Sequence, residues 1–210
     1  MLNWIDGFTK RKEILPLPKP TIDYSIRIFS SPEELDEAIC KLADKEESSL
    51  SRLIATYDWE YNEKTNPTER LGKYWEVLIN GWHKPWNREL ESELSPKQKR
   101  YNKKLAWAEQ KQTIGEVGST FTIQGFDLNY AGVILGPSVK YKNGIIVFDS
   151  ESSCNTKAVR KRTLSDGTKK KFGEELLRHE VRVLMTRGVN GLFIYACDEE
   201  LRKALLAAAE

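Results

Sequence analysis

The stretch that decides the fold is VRVLMTRGVNGLFIYACDEE, residues 181–200. It begins in a helical pattern that ends at Met185, passes through Thr-Arg-Gly, and continues as the apolar run 191–196. A short apolar run of this kind is typical of a strand that is buried on both faces of a parallel sheet. Asp198 then provides the N-cap of another helix. The order of helix, buried strand and helix predicts an α/β domain.

Working outward, the same alternation of strands and helices runs along the chain. Ser31-Pro32 marks a helix start, with serine as N-cap and proline at the first helical position. The pairs Asn80-Gly81 and Asn143-Gly144 are typical of tight hairpins. Strands are predicted at 22–29, 52–57, 130–136 and 191–196, and helices at 31–46 and 174–185. This pattern predicts a mostly parallel sheet with helices, together with a β-hairpin. The first strand, with one polar face, is expected near an edge of the sheet.

The chain has 210 residues, of which 40% are hydrophobic and 30% are charged, so a single domain over residues 1–210 is expected. Residues 58–110 contain five of the six tryptophans. We interpret this region as an insertion that its own aromatic side chains pack together. The alternative is that these rings form exposed stacking platforms for nucleobases.

The net charge is only +2, but the basic residues are concentrated in two segments. Residues 97–104 hold five basic residues and no acid, and residues 157–171 hold seven basic residues and one acid. The second segment lies in a predicted basic loop, 150–172. Such stretches are typical of nucleic-acid contacts, although a simple solvated loop has the same composition.

Several classes of protein are disfavoured by composition. Three cysteines, far apart in the sequence, provide neither a disulfide framework nor zinc-ligand spacing, and two histidines are too few for a histidine-based metal site. No apolar run is long enough to cross a membrane, and residues 1–20 are polar and interrupted by prolines, unlike a signal peptide. We therefore expect a cytoplasmic protein with reduced thiols, no metal of its own and no membrane partner.

Two stretches are candidates for ligand contact. The first, 116–135, is rich in small and hydroxyl residues, and its polar side chains suit phosphate or sugar: Ser119, Thr120, Thr122, Gln124 and Asp127. The second is Arg187, whose planar fork of donors suits a phosphate. The alternatives are a turn-rich connection for the first stretch, and an arginine that caps the carbonyls of its own helix for the second.

Taken together, the two stretches resemble conserved motifs of a known family. GSTFTIQGFDLNYAGVIL is similar to motif V of superfamily 1 helicases, T-x-H-x-x-Q-G-x-E, and VRVLMTRGVNGLFIYA is similar to their motif VI. The run from IGEVGSTFTIQGF through GPSVKYKNG to LMTRGVNGLFIYA resembles the Schlafen group 3-like DNA/RNA helicase domain family more narrowly. The resemblance implies the second RecA-like domain of an ATP-driven nucleic-acid motor, with the P-loop NTPase type of fold.

The resemblance also implies roles for single residues. Arg187 matches the motif VI arginine that contacts the γ-phosphate, and Thr186 precedes it at the nucleotide. Gln124 and Gly125 match the Gln-Gly of motif V, and Asp127 stands where glutamate faces the ribose. Ser119 takes the place of the motif V threonine, which contacts the nucleic-acid backbone. The hydroxyl groups of Thr120 and Thr122, by composition, and Lys169, Lys170 and Lys171, from the basic segment, are the other candidate nucleic-acid contacts. Phe121 stands where histidine is usual.

The parts that hold ATP are not found in the sequence. No G-x-x-x-x-G-K-[ST] loop is present: the only Gly-Lys pair, Gly72-Lys73, is followed by tyrosine. In the family these parts lie in the first RecA-like domain, so ATP and Mg²⁺ are expected only through such a partner, upstream or in a separate chain. The chain alone is not expected to hydrolyse ATP. The alternatives are a stand-alone DNA- or RNA-binding module, and a partner-docking or remnant domain without activity.

Overall fold

The computed structural model describes residues 1–45, 50–62, 73–163 and 165–210. Its central strands are Ser25–Ile28 (β1), Arg52–Ala55 (β2), Val117–Gly118 (β5), Leu128–Leu135 (β6) and Gly188–Ala196 (β11). They form one sheet in the order β1-β11-β6-β2-β5, in which every neighbouring pair is parallel. The predicted α/β class with a parallel sheet is confirmed.

Antiparallel pairing within the described residues is confined to three hairpins outside the central sheet. Their strands are Glu76–Ile79 (β3) with Trp82–Pro85 (β4), Val139–Lys142 (β7) with Ile145–Phe148 (β8), and Lys161–Thr163 (β9) with Lys169–Lys171 (β10). The first two turn at the predicted Asn-Gly pairs, whose four φ angles are all positive. Asparagine and glycine tolerate this left-handed backbone, so both predicted hairpins are confirmed.

Two of the helices begin at predicted capping residues. They are Leu2–Asp6 (α1), Pro32–Lys45 (α2), Pro96–Asn102 (α3), Thr156–Val159 (α4), Gly173–Met185 (α5) and Glu199–Ala207 (α6). Short helical turns cover Gly7–Arg11, Glu89–Glu93, Trp107–Glu109, Lys111–Gly115 and Ser150–Ser152. The Ser31 hydroxyl accepts from the Glu34 amide at 3.2 Å, and Asp198 accepts from the Leu201 amide at 2.8 Å. Both predicted N-caps are confirmed.

Hydrophobic packing covers both faces of the sheet because successive strand residues point to opposite sides. Leu192 and Ile194 of β11 pack in one cluster with apolar residues of α1, α5 and α6. Phe193 and Tyr195 of the same strand pack in a second cluster with α2 and with tryptophans of the 58–110 region. The result is a layered domain whose two loop-bearing edges, at the amino and carboxyl ends of the strands, remain available for a site.

The first strand is shorter than the sequence predicts. It starts at Ser25 rather than residue 22, because its register on β11 begins with the pair Ser25 and Gly191. Ile22 therefore has no neighbouring strand and is 99% exposed. β1 lies at one edge of the sheet, as its alternating pattern predicts.

The tryptophans of the 58–110 region pack against the sheet as well as against each other. The rings of Trp59 and Trp86 lie 6.1 Å apart in an edge-to-face arrangement. The backbone of Trp86 also forms an isolated parallel β-bridge with Val117 of β5. Trp107 belongs to the cluster on the opposite face of the sheet. The described part of this region thus extends both layers. Residues 63–72, which include Gly72 of the Gly-Lys pair, lie outside the described residues, as does Glu46 at the predicted end of α2.

The segment 150–172, expected as a basic loop, holds α4 and the β9–β10 hairpin, which turns at Gly167 with a φ of +83°. The three lysines of β10 are all exposed. None of the described helices is both long and apolar enough to span a lipid bilayer.

Candidate functional site

Arg187 occupies the junction between α5 and β11, at the amino edge of the sheet. Its carbonyl accepts a hydrogen bond from the Leu128 amide at 2.8 Å, which ties the junction to the first residue of β6. Its Nε donates to the Val183 carbonyl at 3.1 Å, and its Nη1 lies 3.3 Å from Oδ1 of Asp127. The side chain is 22% exposed, so the guanidinium is held in a defined place while part of it faces solvent.

The arginine also caps its own helix, as the alternative interpretation predicts. Thr186 does the same: its hydroxyl donates to the Arg182 carbonyl at 2.9 Å and to the Val183 carbonyl at 3.2 Å. These donors satisfy carbonyls that lack partners at a helix C-terminus. Capping and presentation of the guanidinium are compatible, because Nη2 of Arg187 forms no hydrogen bond within the described part of the chain.

Asp127 lies beside Arg187 at the amino end of the neighbouring strand, and Gln124 and Gly125 precede Asp127 in the chain. Gly125 has a φ of +75° and turns the chain into β6, and Gln124 is exposed. In the sheet Leu128 is the partner of Gly188, so the residues just before them, Asp127 and Arg187, come together. We call Gln124, Gly125, Asp127 and Arg187 the amino-edge site.

The backbone directly after Arg187 is irregular. The register on β6 shifts between Gly188 and Gly191, which marks a β-bulge. A Cβ on Gly188 would lie 2.0 Å from the Gly191 carbonyl oxygen, so only glycine fits here. Bulges commonly redirect a side chain next to a functional site. The sequence showed the glycine but gave no local signal for the bulge, which depends on the register with β6.

Gly188→Ala is expected to destabilise the protein by about 1–3 kcal/mol, because the added methyl group forces the bulge to move. The free energy of unfolding from urea denaturation measures this effect. Val189→Ala is the control, since Val189 is 61% exposed in the same bulge and its truncation should cost less than about 0.5 kcal/mol. Equal stabilities of the two variants would contradict the packing seen at Gly188.

Ser119, Thr120 and Thr122 lie at the opposite end of the sheet, in the turn after β5. Ser119 is fully buried, and its amide donates to the Thr122 hydroxyl at 2.8 Å, which in turn donates to the Ser119 carbonyl at 2.9 Å. The hydroxyl of Ser119 accepts from the Phe121 amide at 3.3 Å. The structure uses these hydroxyl groups to close a turn and does not bring them to Arg187. Thr120 is partly exposed.

The lysines of β10 form another separate group. Lys171 pairs with Glu151, Lys170 lies 5.3 Å from the centre of the Phe172 ring, and Lys169 is exposed. They stand just before the N-terminus of α5, whereas Arg187 follows its C-terminus. The predicted site residues thus fall into three places: the amino-edge site, the turn after β5 and the β9–β10 hairpin.

The carboxyl edge of the sheet holds buried acids that were not predicted from the sequence. Oδ2 of Asp58 accepts from the Thr56 hydroxyl and from the Ser138 amide, each at 2.9 Å. Glu180 of α5 accepts from the Tyr57 amide at 2.7 Å. Burial raises the pKa of Asp58 and raises the pKa of Glu180 to about 7. Helical spacing puts Glu180 on the apolar face of α5 with Leu177 and Leu184, which was a usable signal for its burial.

The described residues contain no group of three or more acidic, histidine or cysteine side chains that could hold a metal ion.

A wholly parallel sheet between helical layers, with an arginine presented at its amino edge, defines an α/β domain of the RecA-like class. The chain belongs to the Schlafen group 3, DNA/RNA helicase domain family, whose model matches residues 1–198. It is therefore a helicase-related domain.

The chain is also similar to Uncharacterized protein YPL245W of Saccharomyces cerevisiae. The two are 34% identical over 230 aligned positions, which cover 98% of this chain and 44% of the yeast protein. The chain thus spans less than half the length of this relative. No solved structure shows a significant match to the chain.

Proposed function

We propose that this chain is the C-terminal, second RecA-like half of a superfamily 1-type nucleic-acid-dependent ATPase or helicase. In this proposal it supplies motif V and the motif VI arginine, Arg187. A first RecA-like domain, in an upstream segment or a separate chain, supplies the phosphate-binding loop and holds ATP and Mg²⁺. DNA or RNA is the partner that stimulates turnover.

The observation that supports the proposal is the contact between Arg187 and Asp127. These residues are 60 positions apart in the sequence, and each lies in a stretch that resembles a different helicase motif. The pairing of β6 with β11 brings both to the same edge of the sheet, and Gly125 and Gln124 lie two and three residues before Asp127 in the chain. Two motifs that act on one nucleotide require this proximity.

The contacts of Arg187 also leave its guanidinium able to bind a phosphate. Its Nε is anchored to the Val183 carbonyl, which limits the entropy lost when the guanidinium binds a ligand. Asp127 is 63% exposed, and an ion pair with so exposed a carboxylate contributes little, about 0–1 kcal/mol. A phosphate from a facing domain can therefore replace Asp127 at small cost.

The direct test is reconstitution of the two halves. The chain alone should not hydrolyse ATP, because an arginine without a phosphate cradle has no transition state to stabilise. Mixed with a first RecA-like domain from the same organism, which carries a G-x-x-x-x-G-K-[ST] loop, the chain should hydrolyse ATP. Single-stranded nucleic acid should accelerate this reaction. The proposal fails if the purified chain alone turns over ATP as fast as the pair.

A second candidate, a nucleic-acid-binding module, is supported by the β9–β10 hairpin. Its lysines Lys169, Lys170 and Lys171 are all exposed, so no apolar face of β10 packs on the domain. An isolated two-stranded ribbon is marginally stable in water, and contact with a polyanion would stabilise it. This candidate differs from the first because it needs no ATP.

Replacing Lys169, Lys170 and Lys171 together with alanine is expected to weaken binding of single-stranded DNA and RNA. The slope of log affinity against log salt is negative, and each lost phosphate contact reduces its magnitude by roughly 0.7. The magnitude should therefore fall by about 2 in the triple variant. Fluorescence anisotropy at several salt concentrations measures it. The control removes three lysines that pair with carboxylates elsewhere: Lys10, Lys41 and Lys203. Equal loss in both triple variants would show that only net charge matters.

A further inference from the structure

The basic segment 97–104 folds as most of helix α3 and the turn that follows it. Four of its exposed residues recur at the spacing i, i+3, i+4 and i+7, which places side chains on one face of a helix. They are Lys97, Arg100, Tyr101 and Lys104. The Lys104 amide donates to the Tyr101 carbonyl at 3.2 Å, so the chain still turns tightly at the last of them. We call these four residues the α3 face.

The three cations of the α3 face lack an ionic partner. None of them forms an ion pair with a carboxylate in the described part of the chain. The nearest acidic residues along the chain on either side have other contacts. Glu93 accepts from Lys73, and Glu109 accepts from the Ala106 amide at 2.6 Å. The positive charge of this face is therefore not neutralised within the described residues.

The charges of the α3 face do not stabilise the helix that carries them. Like charges three and four positions apart repel each other on a helix, and the first turn of α3 has no acidic residue to favour its N-terminus. A helix of 7 residues is also too short to be stable by itself. It depends on a capping box, in which Ser95 and Gln98 each bond to the backbone of the other. An external polyanion would offset the repulsion that the fold leaves in place.

Tyr101 lies between the cations and is 67% exposed. Lys97 stands one helical turn before it, and Lys104 follows one turn after it. Within the described residues, the Tyr101 ring neither stacks on another aromatic ring nor lies under a cation. An aromatic ring with positive charge on both sides is the combination that binds single-stranded nucleic acids, because bases stack on the ring while the cations contact phosphates.

The α3 helix is tied to the amino edge of the sheet, the edge that carries Arg187. On the side of the helix away from the α3 face, the Asn102 amide donates to the side-chain oxygens of Gln110 and Gln112 at 3.3 and 3.1 Å. The Gln110 carbonyl accepts from the guanidinium of Arg52 at 3.4 Å, and Arg52 is the buried first residue of β2. In the sheet only β6 separates β2 from β11. A ligand on α3 would thus lie at the same edge as the amino-edge site.

We propose that the α3 face binds the backbone of a single-stranded nucleic acid. Its cations contact neighbouring phosphates, and one base of the strand stacks on the Tyr101 ring. The first and last cations are separated by about 10 Å along the helix axis, a length that corresponds to about three phosphates of one strand at about 3.4 Å each. This inference rests on the proposed function in that it names the place where the strand is held.

The first test replaces Lys97, Arg100 and Lys104 together with alanine and measures binding of a single-stranded oligodeoxynucleotide to the whole chain. The slope of log affinity against log salt should lose about 2 in magnitude, roughly 0.7 for each lost phosphate contact. The control is the triple variant of Lys10, Lys41 and Lys203, which removes the same charge elsewhere and should keep the slope. Equal losses in the two triple variants would overturn the inference.

The second test addresses the ring. Tyr101→Leu keeps an apolar side chain but has no flat face, so it should lower affinity about tenfold, the effect of one lost stacking contact. Tyr101→Phe keeps the ring and should bind as the wild type does. An oligodeoxynucleotide that carries 5-iodouracil should crosslink to the peptide that contains Tyr101 when it is irradiated, and mass spectrometry locates the crosslink. Equal affinities of Tyr101→Leu and wild type, or a crosslink elsewhere only, would contradict the stacking.

Two competitors decide what kind of polyanion the α3 face takes. The single strand should compete better than a duplex of the same sequence, since paired bases cannot stack on a side chain. Equal competition by the duplex, or by poly-glutamate at the same concentration of charge, would overturn the inference, and the second result would assign the face to an acidic polypeptide. These binding assays need neither ATP nor a first RecA-like domain. A failure of the α3 face and a failure of the proposed ATPase are therefore distinguishable.

Discussion

Arg187→Ala is expected to lower ATP turnover of the reconstituted pair by about 10³- to 10⁵-fold, the range found for arginines that complete a phosphoryl-transfer site. The reason is that charge builds up on the transferred phosphate in the transition state, and a positioned guanidinium stabilises it. In this chain the guanidinium is held by the Nε hydrogen bond to the Val183 carbonyl and by the Nη1 contact with Asp127. Steady-state phosphate release measures the effect.

Two further variants separate the arginine's chemistry from its structural role. Arg187→Lys keeps the charge but loses the planar fork, so it should recover only a small part of the activity. Arg178→Ala removes a partly exposed arginine from α5, the helix that precedes Arg187, and should leave turnover near wild type. Arg187→Ala should itself fold, since it loses hydrogen bonds to the Val183 and Phe126 carbonyls and a weak ion pair, together about 2 kcal/mol. Unchanged turnover in Arg187→Ala would end the motif VI assignment.

The stability of the protein is expected to decrease as pH rises from about 4.5 to about 7. Burial raises the pKa of both Glu180 and Glu116 from 4.5 to about 7. Between these values the folded state holds protons that the unfolded chain has released, so folding is favoured at the acidic end. The contribution is fully present below pH 4.5 and is lost as pH rises through the folded pKa. Each group should account for roughly 3 kcal/mol of the decline.

The structural setting explains why these two carboxyl groups are affected. Glu180 lies on the buried face of α5, near Asp58, whose charge also disfavours ionisation. Glu116 is 1% exposed beside β5, where Trp107 Nε1 donates to it at 2.7 Å and the Leu90 amide at 3.2 Å. These hydrogen bonds favour the charged form, but desolvation has the larger effect in both cases.

Glutamine variants test this prediction, because glutamine keeps an acceptor oxygen and does not titrate. Glu180→Gln and Glu116→Gln should each flatten the decline of unfolding free energy with pH, and the double variant should remove most of it. Glu175→Gln is the matched control, since Glu175 is exposed on the same helix as Glu180. Urea denaturation from pH 4.5 to pH 8 measures the profiles. A decline that persists in the double variant would show that other groups cause it.

Local sequence determined the elements whose geometry depends on a few adjacent residues. Asn80-Gly81 and Asn143-Gly144 adopt the left-handed angles of tight hairpins, and Ser31 and Asp198 cap the helices that follow them. The apolar run 191–196 lies in a buried strand, because a strand without a polar face needs layers on both sides. These features needed no knowledge of distant residues.

Tertiary structure decided which residues meet. Nothing local to residues 124–127 or 186–188 predicts the contact between Asp127 and Arg187, which follows from the pairing of β6 with β11. The resemblance to two helicase motifs assigns both residues to one nucleotide, but it predicts neither their direct contact nor the bulge at Gly188. The burial of Ser119 was likewise not predictable from nearby residues. Its hydroxyl was a candidate ligand contact because the segment is rich in hydroxyl groups, but the side chain is buried in a turn.

The buried acids show the limit most clearly. Asp58 follows β2 and Glu180 lies on α5, and the packing of this helix on the sheet brings the two carboxyl groups near each other. Sequence patterns report the local conformation because backbone angles depend on near neighbours. Burial, desolvation and unmet hydrogen bonds depend on long-range packing. The fold class and the elements could therefore be predicted from the sequence, whereas the contact of Arg187 with Asp127 and the burial of Glu180 follow only from the packing of distant segments.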